Sequence, residues 1–121
     1  MMSDHMVFCP KYRTRVLTGD VAVECERVIR EVCGDLGIHV IDMAVNPDHV
    51  HLFIRYPPKY SMSWVAQKIK SVSSYVLRKK FPHLKKWREK GLWAPSCWHG
   101  SVGQGFEVVQ KYIQAQEGHR D

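Results

Sequence analysis

The sequence predicts an α+β fold, a ferredoxin-like split βαβ sandwich in which a four-stranded antiparallel sheet carries helices on one face, followed by one more helix at the C-terminus. Three observations predict it. Two long segments repeat apolar residues at three- and four-residue steps, as one buried face of a helix requires. Between them lie two short runs suited to strands, separated only by Asn46-Pro47-Asp48, the composition of a tight turn. The elements then follow the order strand, helix, strand, strand, helix, strand, and 121 residues leave room for one core but not for two.

Taken in order, His5 to Cys9 is a short strand closed by Pro10 and followed by the basic cluster Lys11, Arg13 and Arg15. From Asp20 the residues Val21, Cys25, Val28, Ile29, Val32 and Leu36 form the stripe of a helix, with Glu24, Glu26, Arg27, Arg30 and Glu31 opposite and Gly37 at its end. Ile38 to Val45 is a second strand and His49 to Tyr56 a third, paired as a hairpin and stopped by Pro57-Pro58. Ser61 caps a second helix with Met62, Val65, Ile69, Val72 and Val76 inward, ending near Phe81-Pro82. After a basic loop, Leu92 to Val102 reads as a fourth strand broken at Pro95. The last helix runs from Phe106 to about Glu117, with Phe106, Val109 and Ile113 on one stripe and Val108, Tyr112 and Gln116 on the next. A single domain results, with a core over 1–99, a glycine-rich linker over 100–105, a helix over 106–117 and a tail over 118–121. The first and third strands are expected at mid-sheet.

Charge is unevenly distributed. Between Ser61 and Lys90 nine cations face one acid, whereas the rest of the chain is slightly acidic, although the whole carries +6. Such a segment is either a phosphate-binding surface or a solvated helix face and loop. Trp64, Tyr75, Phe81, Trp87 and Trp93 interleave with it, suited to stacking on unpaired bases, while Trp64 and Phe81 also fit a core. Cys9, Cys25, Cys33 and Cys97 show no C-x-x-C or zinc-ribbon spacing, so reduced thiols are expected. No apolar run approaches the roughly 18 residues a membrane span needs, and no signal-peptide layout is present, which makes a soluble intracellular protein the expectation.

The chemistry concentrates in two places. In Pro47-Asp48-His49-Val50-His51-Leu52, strand alternation sends both imidazoles to one face while Val50, Leu52 and Ile54 enter the core. A strand histidine is often only a hydrogen-bonded structural residue, but a pair on one face also suits a divalent metal. Tyr112 and Gln116, one helical turn apart, point the same way. Tyr112 alone reads as a core or interface aromatic; beside a metal it becomes a nucleophile, and the Gln116 amide oxygen becomes a third donor favouring Mg²⁺ or Mn²⁺.

These residues, together with Phe8-Cys9-Pro10-Lys11-Tyr12-Arg13, Leu92-Trp93-Ala94-Pro95-Ser96 and Tyr112-Ile113-Gln114-Ala115-Gln116, resemble the single-tyrosine HUH transposases of the smallest bacterial and archaeal insertion sequences. The resemblance spans nearly the whole chain. It implies a transposase that cleaves and rejoins single-stranded DNA at element ends through a 5′-phosphotyrosine, with Tyr112 as nucleophile and His49, His51 and Gln116 as ligands of Mg²⁺ or Mn²⁺. It further implies a homodimer that recognises subterminal DNA hairpins and shares its active sites between protomers. Gly100, Gly103 and Gly105 would be the hinge of the tyrosine helix. Lys11, Arg13, Lys68, Arg78 and Lys79 are candidate DNA contacts by charge and position, and a cytoplasmic, nucleoid-associated protein is expected. Two other readings stay open from the residues alone: a replication-initiator or relaxase-type nickase with the same histidine motif, and a non-catalytic ferredoxin-like module for single-stranded nucleic acid.

Overall fold

The computed structural model describes residues 1–87, 91–95, 98–100 and 106–117. Strands β1 (Met2–Phe8), β2 (His39–Asn46), β3 (His49–Tyr56) and β4 (Trp98–Gly100) form one antiparallel sheet in the order β2-β3-β1-β4. Helices α1 (Gly19–Asp35) and α2 (Met62–Lys80) pack together, a short α3 (Pro82–Trp87) follows, and α4 (Phe106–Glu117) ends the described chain. The split βαβ fold is therefore present, with β1 and β3 at the centre as expected. Residues 118–121 lie outside the described residues.

Alternation along β3 sorts its side chains cleanly. Val50, Leu52 and Ile54 are fully buried, and with Met6 and Phe8 of β1 they meet Val28 and Ile29 of α1 and Val65 and Ile69 of α2 in one core. Gly37, at φ 70°, closes α1: Ile38 N–H donates to the Cys33 carbonyl at 2.8 Å and Gly37 N–H to that of Gly34 at 3.2 Å. This is the glycine-terminated helix end that satisfies the last carbonyls. Ser61 caps α2 as anticipated, its hydroxyl accepting from Trp64 N–H at 3.1 Å. Cys25 and Cys33 are buried thiols, pushed up by that burial to about 12 and about 11, which keeps them protonated and unreactive.

Two features depart from the sequence expectation. Part of the basic loop after Phe81 is helical: Pro82 starts α3, a position where its missing N–H costs nothing, and Leu84 anchors it in the core. The inward face of α2 is also rotated. Val72 and Val76 are only partly buried, whereas Ser73 and Ser74 are enclosed. The serines dock the segment that follows α3: Trp93 Nε1–H donates to Ser73 Oγ at 2.9 Å, and Leu92 N–H donates to Ser74 Oγ at 3.0 Å. Ser73 in turn donates to the Ile69 carbonyl. Trp93 meets Phe8 edge-on at 4.7 Å, and Ala94 N–H donates to the Cys9 carbonyl, so this segment extends the edge of β1 before β4 begins. The expected break at Pro95 separates these two pairings.

Replacing Ser74 by alanine leaves the Leu92 N–H without its acceptor in a buried position, so a stability loss of about 1–3 kcal/mol is expected, read as a lower denaturant midpoint at unchanged slope. A second prediction concerns acid. Glu24 of α1 accepts from Arg27 and from Lys80 of α2, and these bonds hold its carboxyl below its ordinary value of 4.5. A depressed folded-state value stabilises the fold above the unfolded value and stops doing so as pH falls through the folded one. The melting-temperature gap between the protein and Glu24→Gln should therefore hold near neutral pH and close on acidification below about pH 4.

Candidate active site

The face of the sheet opposite α1 and α2 carries His5, His49, His51 and Phe53. His49 and His51 do leave β3 on the same side, both half-buried, but each ring is engaged by a different neighbour. The Asp48 carboxylate accepts from His49 Nδ1–H at 2.8 Å, leaving Nε2 as the lone-pair nitrogen, which stands 3.1 Å from the Asn46 side-chain amide. Arg13 Nε donates to the other Asp48 oxygen at 3.0 Å, so the carboxylate is held from both sides. His51 Nε2 lies 3.0 Å from Nδ1 of His5, a residue the sequence reading placed in the first strand without assigning it a role. Burial, followed by the neighbouring His5 and His49 rings, lowers the His51 pKa against a weaker opposing pull from Asp42, so the ring is neutral and can offer a lone pair at physiological pH.

Beside this face the chain is conformationally unusual. Tyr12 and Arg13 sit in a 3-10 turn, Lys11–Arg13, with φ of 60° and 53°, a region that non-glycine residues enter at a cost of about 1–3 kcal/mol each. The turn is held by Arg13 N–H donating to the Pro10 carbonyl and by Lys11 N–H donating to that of Leu92. Helix α4 packs against this turn. On α4, Tyr112 is half-buried, while Ile113 and Gln116 are buried. Gln116 is 7% exposed, and its Oε1 accepts no hydrogen bond from the described residues. A buried amide oxygen without a donor costs about 1–3 kcal/mol, and a cation is one way to satisfy it.

Among the described residues no three His, Cys, Asp or Glu side chains converge on a metal-sized position. An ion at the histidine face would therefore need oxygen donors beside the imidazole nitrogens. The Gln116 oxygen fits that requirement by chemistry, and the His51 nitrogen by its charge state.

The candidate DNA contacts fall in separate places. Lys11 and Arg13 lie in the 3-10 turn, where Arg13 is ion-paired to Asp48 and thereby tied to His49. Lys68 lies on the side of α2 that faces Arg27, Glu31 and Asp35 of α1. Arg78 lines a different groove, of about 700 Å³, between α2 and residues 91–95, together with Lys70, Gln67 and Tyr75. Lys79 is exposed beside it, with Nζ 5.8 Å from the centre of the Tyr75 ring. Tyr75 is 65% exposed, and Trp64 is exposed and stacked on Tyr60 at 4.7 Å, so neither belongs to the core; Phe81 packs against it. Of the hinge glycines, Gly100 is the last residue of β4 and pairs with His5. Gly103 and Gly105 lie outside the described residues. No helix among the described residues is long and apolar enough to cross a membrane.

The chain is similar to known proteins in sequence and fold. A family model described as IS200-like transposase matches residues 1–116. The ISDra2 transposase TnpA of Deinococcus radiodurans is 34% identical over 114 residues, covering 93% of this chain and 81% of the relative. The transposase of insertion element IS200 from Salmonella typhimurium is 30% identical over 113 residues, covering 93% and 74%. Among solved structures, a Deinococcus radiodurans R1 protein assigned as a transposase superposes with a TM-score of 0.89 at 28% identity, over 98% of this chain and 92% of its own. A REP-associated tyrosine transposase bound to a REP hairpin shares the fold at a TM-score of 0.59 and 16% identity, over 92% and 61%. A match that runs through all the strands and into the tyrosine helix, joined to relatives alike over most of their length, means that this chain belongs to the IS200-like transposase family.

Proposed function

We propose that this transposase cuts and rejoins single-stranded DNA at the ends of its element, with Tyr112 as nucleophile and His49, His51 and Gln116 as the ligands of Mg²⁺ or Mn²⁺. The observation that carries the reading is the buried oxygen of Gln116, without a donor among the described residues, one turn from Tyr112, on a helix seated against the turn whose Arg13 holds Asp48 and through it His49. When bound, the ion supplies Lewis-acid polarisation of the scissile phosphate.

The chain's own residues do the rest. Tyr112 loses its phenolic proton and its oxygen attacks phosphorus; the bond from phosphorus to the 3′-oxygen breaks, that oxygen leaves as a hydroxyl, and the 5′-phosphate remains on the tyrosine. Because the phosphotyrosine keeps the energy of the diester, a free 3′-hydroxyl can reverse the attack and join a new strand. Asp48 fixes the tautomer of His49 by accepting from Nδ1–H, and Arg13 fixes Asp48. His51 stays neutral through its burial.

Hairpin-bearing single-stranded DNA is the proposed substrate, supported by the family and by the hairpin held by the REP-associated relative. With one such tyrosine per chain, cutting two element ends in one complex calls for a homodimer. Lys11, Lys79 and Arg78 are the proposed phosphate contacts, and their loss should weaken binding with a reduced salt dependence.

Incubating the protein with single-stranded element ends and Mn²⁺ should give a covalent protein–DNA adduct on a denaturing gel, and Tyr112→Phe should reduce it at least on the order of a thousandfold while leaving DNA binding intact. An undiminished adduct would sink the assignment. Asp48→Asn keeps the shape but removes the charge that orients His49, and titration calorimetry should show divalent-ion affinity about 10–100-fold weaker than in the parent protein.

A further inference from the structure

His5 lies outside the ligand set above, yet it is the residue that engages His51. It stands on β1 opposite Phe53 of β3, on the open face, and its ring lies parallel to that of Phe53, with centroids 4.3 Å apart and planes 5° apart. So held, its Nδ1 meets His51 Nε2 at 3.0 Å. Asn46 stands in the same relation to the other histidine. It is the last residue of β2, paired with His49 across the hairpin turn, and its side-chain amide nitrogen lies 3.1 Å from His49 Nε2.

Both contacts occupy a nitrogen that a metal would need. His49 gives its Nδ1 proton to Asp48, so its Nε2 carries only a lone pair, and the Asn46 amide donates to it. His5 and His51 share one proton between Nδ1 and Nε2, and whichever ring carries it, His51 Nε2 is engaged. With those nitrogens 3.0 Å apart and the ring centroids 5.1 Å apart, the two imidazoles face each other nitrogen to nitrogen. An imidazole nitrogen has a single lone pair, in the plane of its ring. It cannot accept a hydrogen bond and bind a cation at once.

We propose that His5 and Asn46 compete with the divalent ion for the two histidine nitrogens, so that these two side chains, neither of them a ligand, set the affinity of the site. Binding the ion opens both hydrogen bonds: the His49 and His51 lone pairs turn to the metal, the Asn46 amide to solvent, and the shared proton stays on His5. Each is a bond between neutral groups, the kind whose net value corresponds to a few-fold up to about tenfold in an equilibrium constant. The inference rests on the histidine face being the metal site and assigns two residues that act on it. Its rival, drawn from the same contacts, is that His5 and Asn46 only orient the imidazoles. The two differ in sign, because loss of a competitor tightens the ion and loss of an orienting partner weakens it.

The test is ion binding by the full chain. In isotope-labelled protein, nuclear magnetic resonance reads a scalar coupling across the hydrogen bond from His5 Nδ1 to His51 Nε2, and saturating Mg²⁺ should abolish it. By calorimetry, His5→Phe, which keeps a ring on Phe53 but has no nitrogen, should bind Mn²⁺ about three- to tenfold more tightly than the parent protein. Asn46→Ala should do the same, and the double variant should multiply the two factors, since each bond closes a different histidine. Equal or weaker Mn²⁺ binding in a variant overturns the role of its residue. A coupling that persists at saturating Mg²⁺ overturns the competition at His51 and leaves the metal site standing where His51→Ala abolishes binding. If a variant loses its fold by circular dichroism, the coupling in the unsubstituted protein decides. Mn²⁺ binding that survives His49→Ala and His51→Ala alike overturns the metal site itself, and the proposal with it.

Discussion

From Met2 against Tyr56 to Phe8 against Val50, the pairing of β1 with β3 runs without a break through the middle of the sheet, and both halves of the molecule depend on its register. Alternation assigns Met6, Phe8, Val50, Leu52 and Ile54 to the helices and His5, His49, His51 and Phe53 to the other side. A slip of one residue would bury three imidazoles and expose the core. The free energy that stabilises the fold is therefore the same free energy that keeps the histidines together, which makes the site as rigid as the sheet.

The second organising element is electrostatic and small. Asp48 sits at the entry to β3 with Arg13 on one oxygen and His49 on the other, and so connects the strained Lys11–Arg13 turn to the histidine strand. Because α4 rests on that turn, the orientation of His49 and the seat of the helix bearing Tyr112 and Gln116 share one support. Ion pairs on a protein surface usually contribute little, but this one is mostly enclosed and its carboxylate accepts from both partners, so its value lies in geometry more than in stability.

The sequence made some of this legible and hid the rest for identifiable reasons. The β3 alternation, the cap at Ser61 and the end of α1 at Gly37 are local signals, and each element formed where its signal lay. Helix α3 escaped because six residues are too few for a period to show, although Pro82 was a usable starting signal. Ser73 and Ser74 escaped because an apolar stripe ranks serine as outward; only their partners, an indole and a backbone amide 18 to 20 residues later, make them interior. The ion pair of Arg13 with Asp48 was hidden because charge counting cannot see a carboxylate across the fold. Lys68 and Arg78 are ten positions apart on one helix, and only the packing of α1 on one side and residues 91–95 on the other reveals that they serve different surfaces. His5 stayed unassigned for a related reason: its relation to His51 exists only in the β1–β3 register.

The two serines of α2 also differ in what they demand of the rest of the chain. Ser73 accepts from a side chain, the Trp93 indole, whereas Ser74 accepts from the backbone of residue 92. Substitutions at 73 and 93 should therefore be exchanged in pairs during divergence, since an indole without its acceptor and a hydroxyl without its donor are each costly. Position 74 answers to a backbone amide at 92 and to the Arg78 guanidinium, 3.4 Å away on its own helix, so it should vary independently of whatever side chain stands at 92.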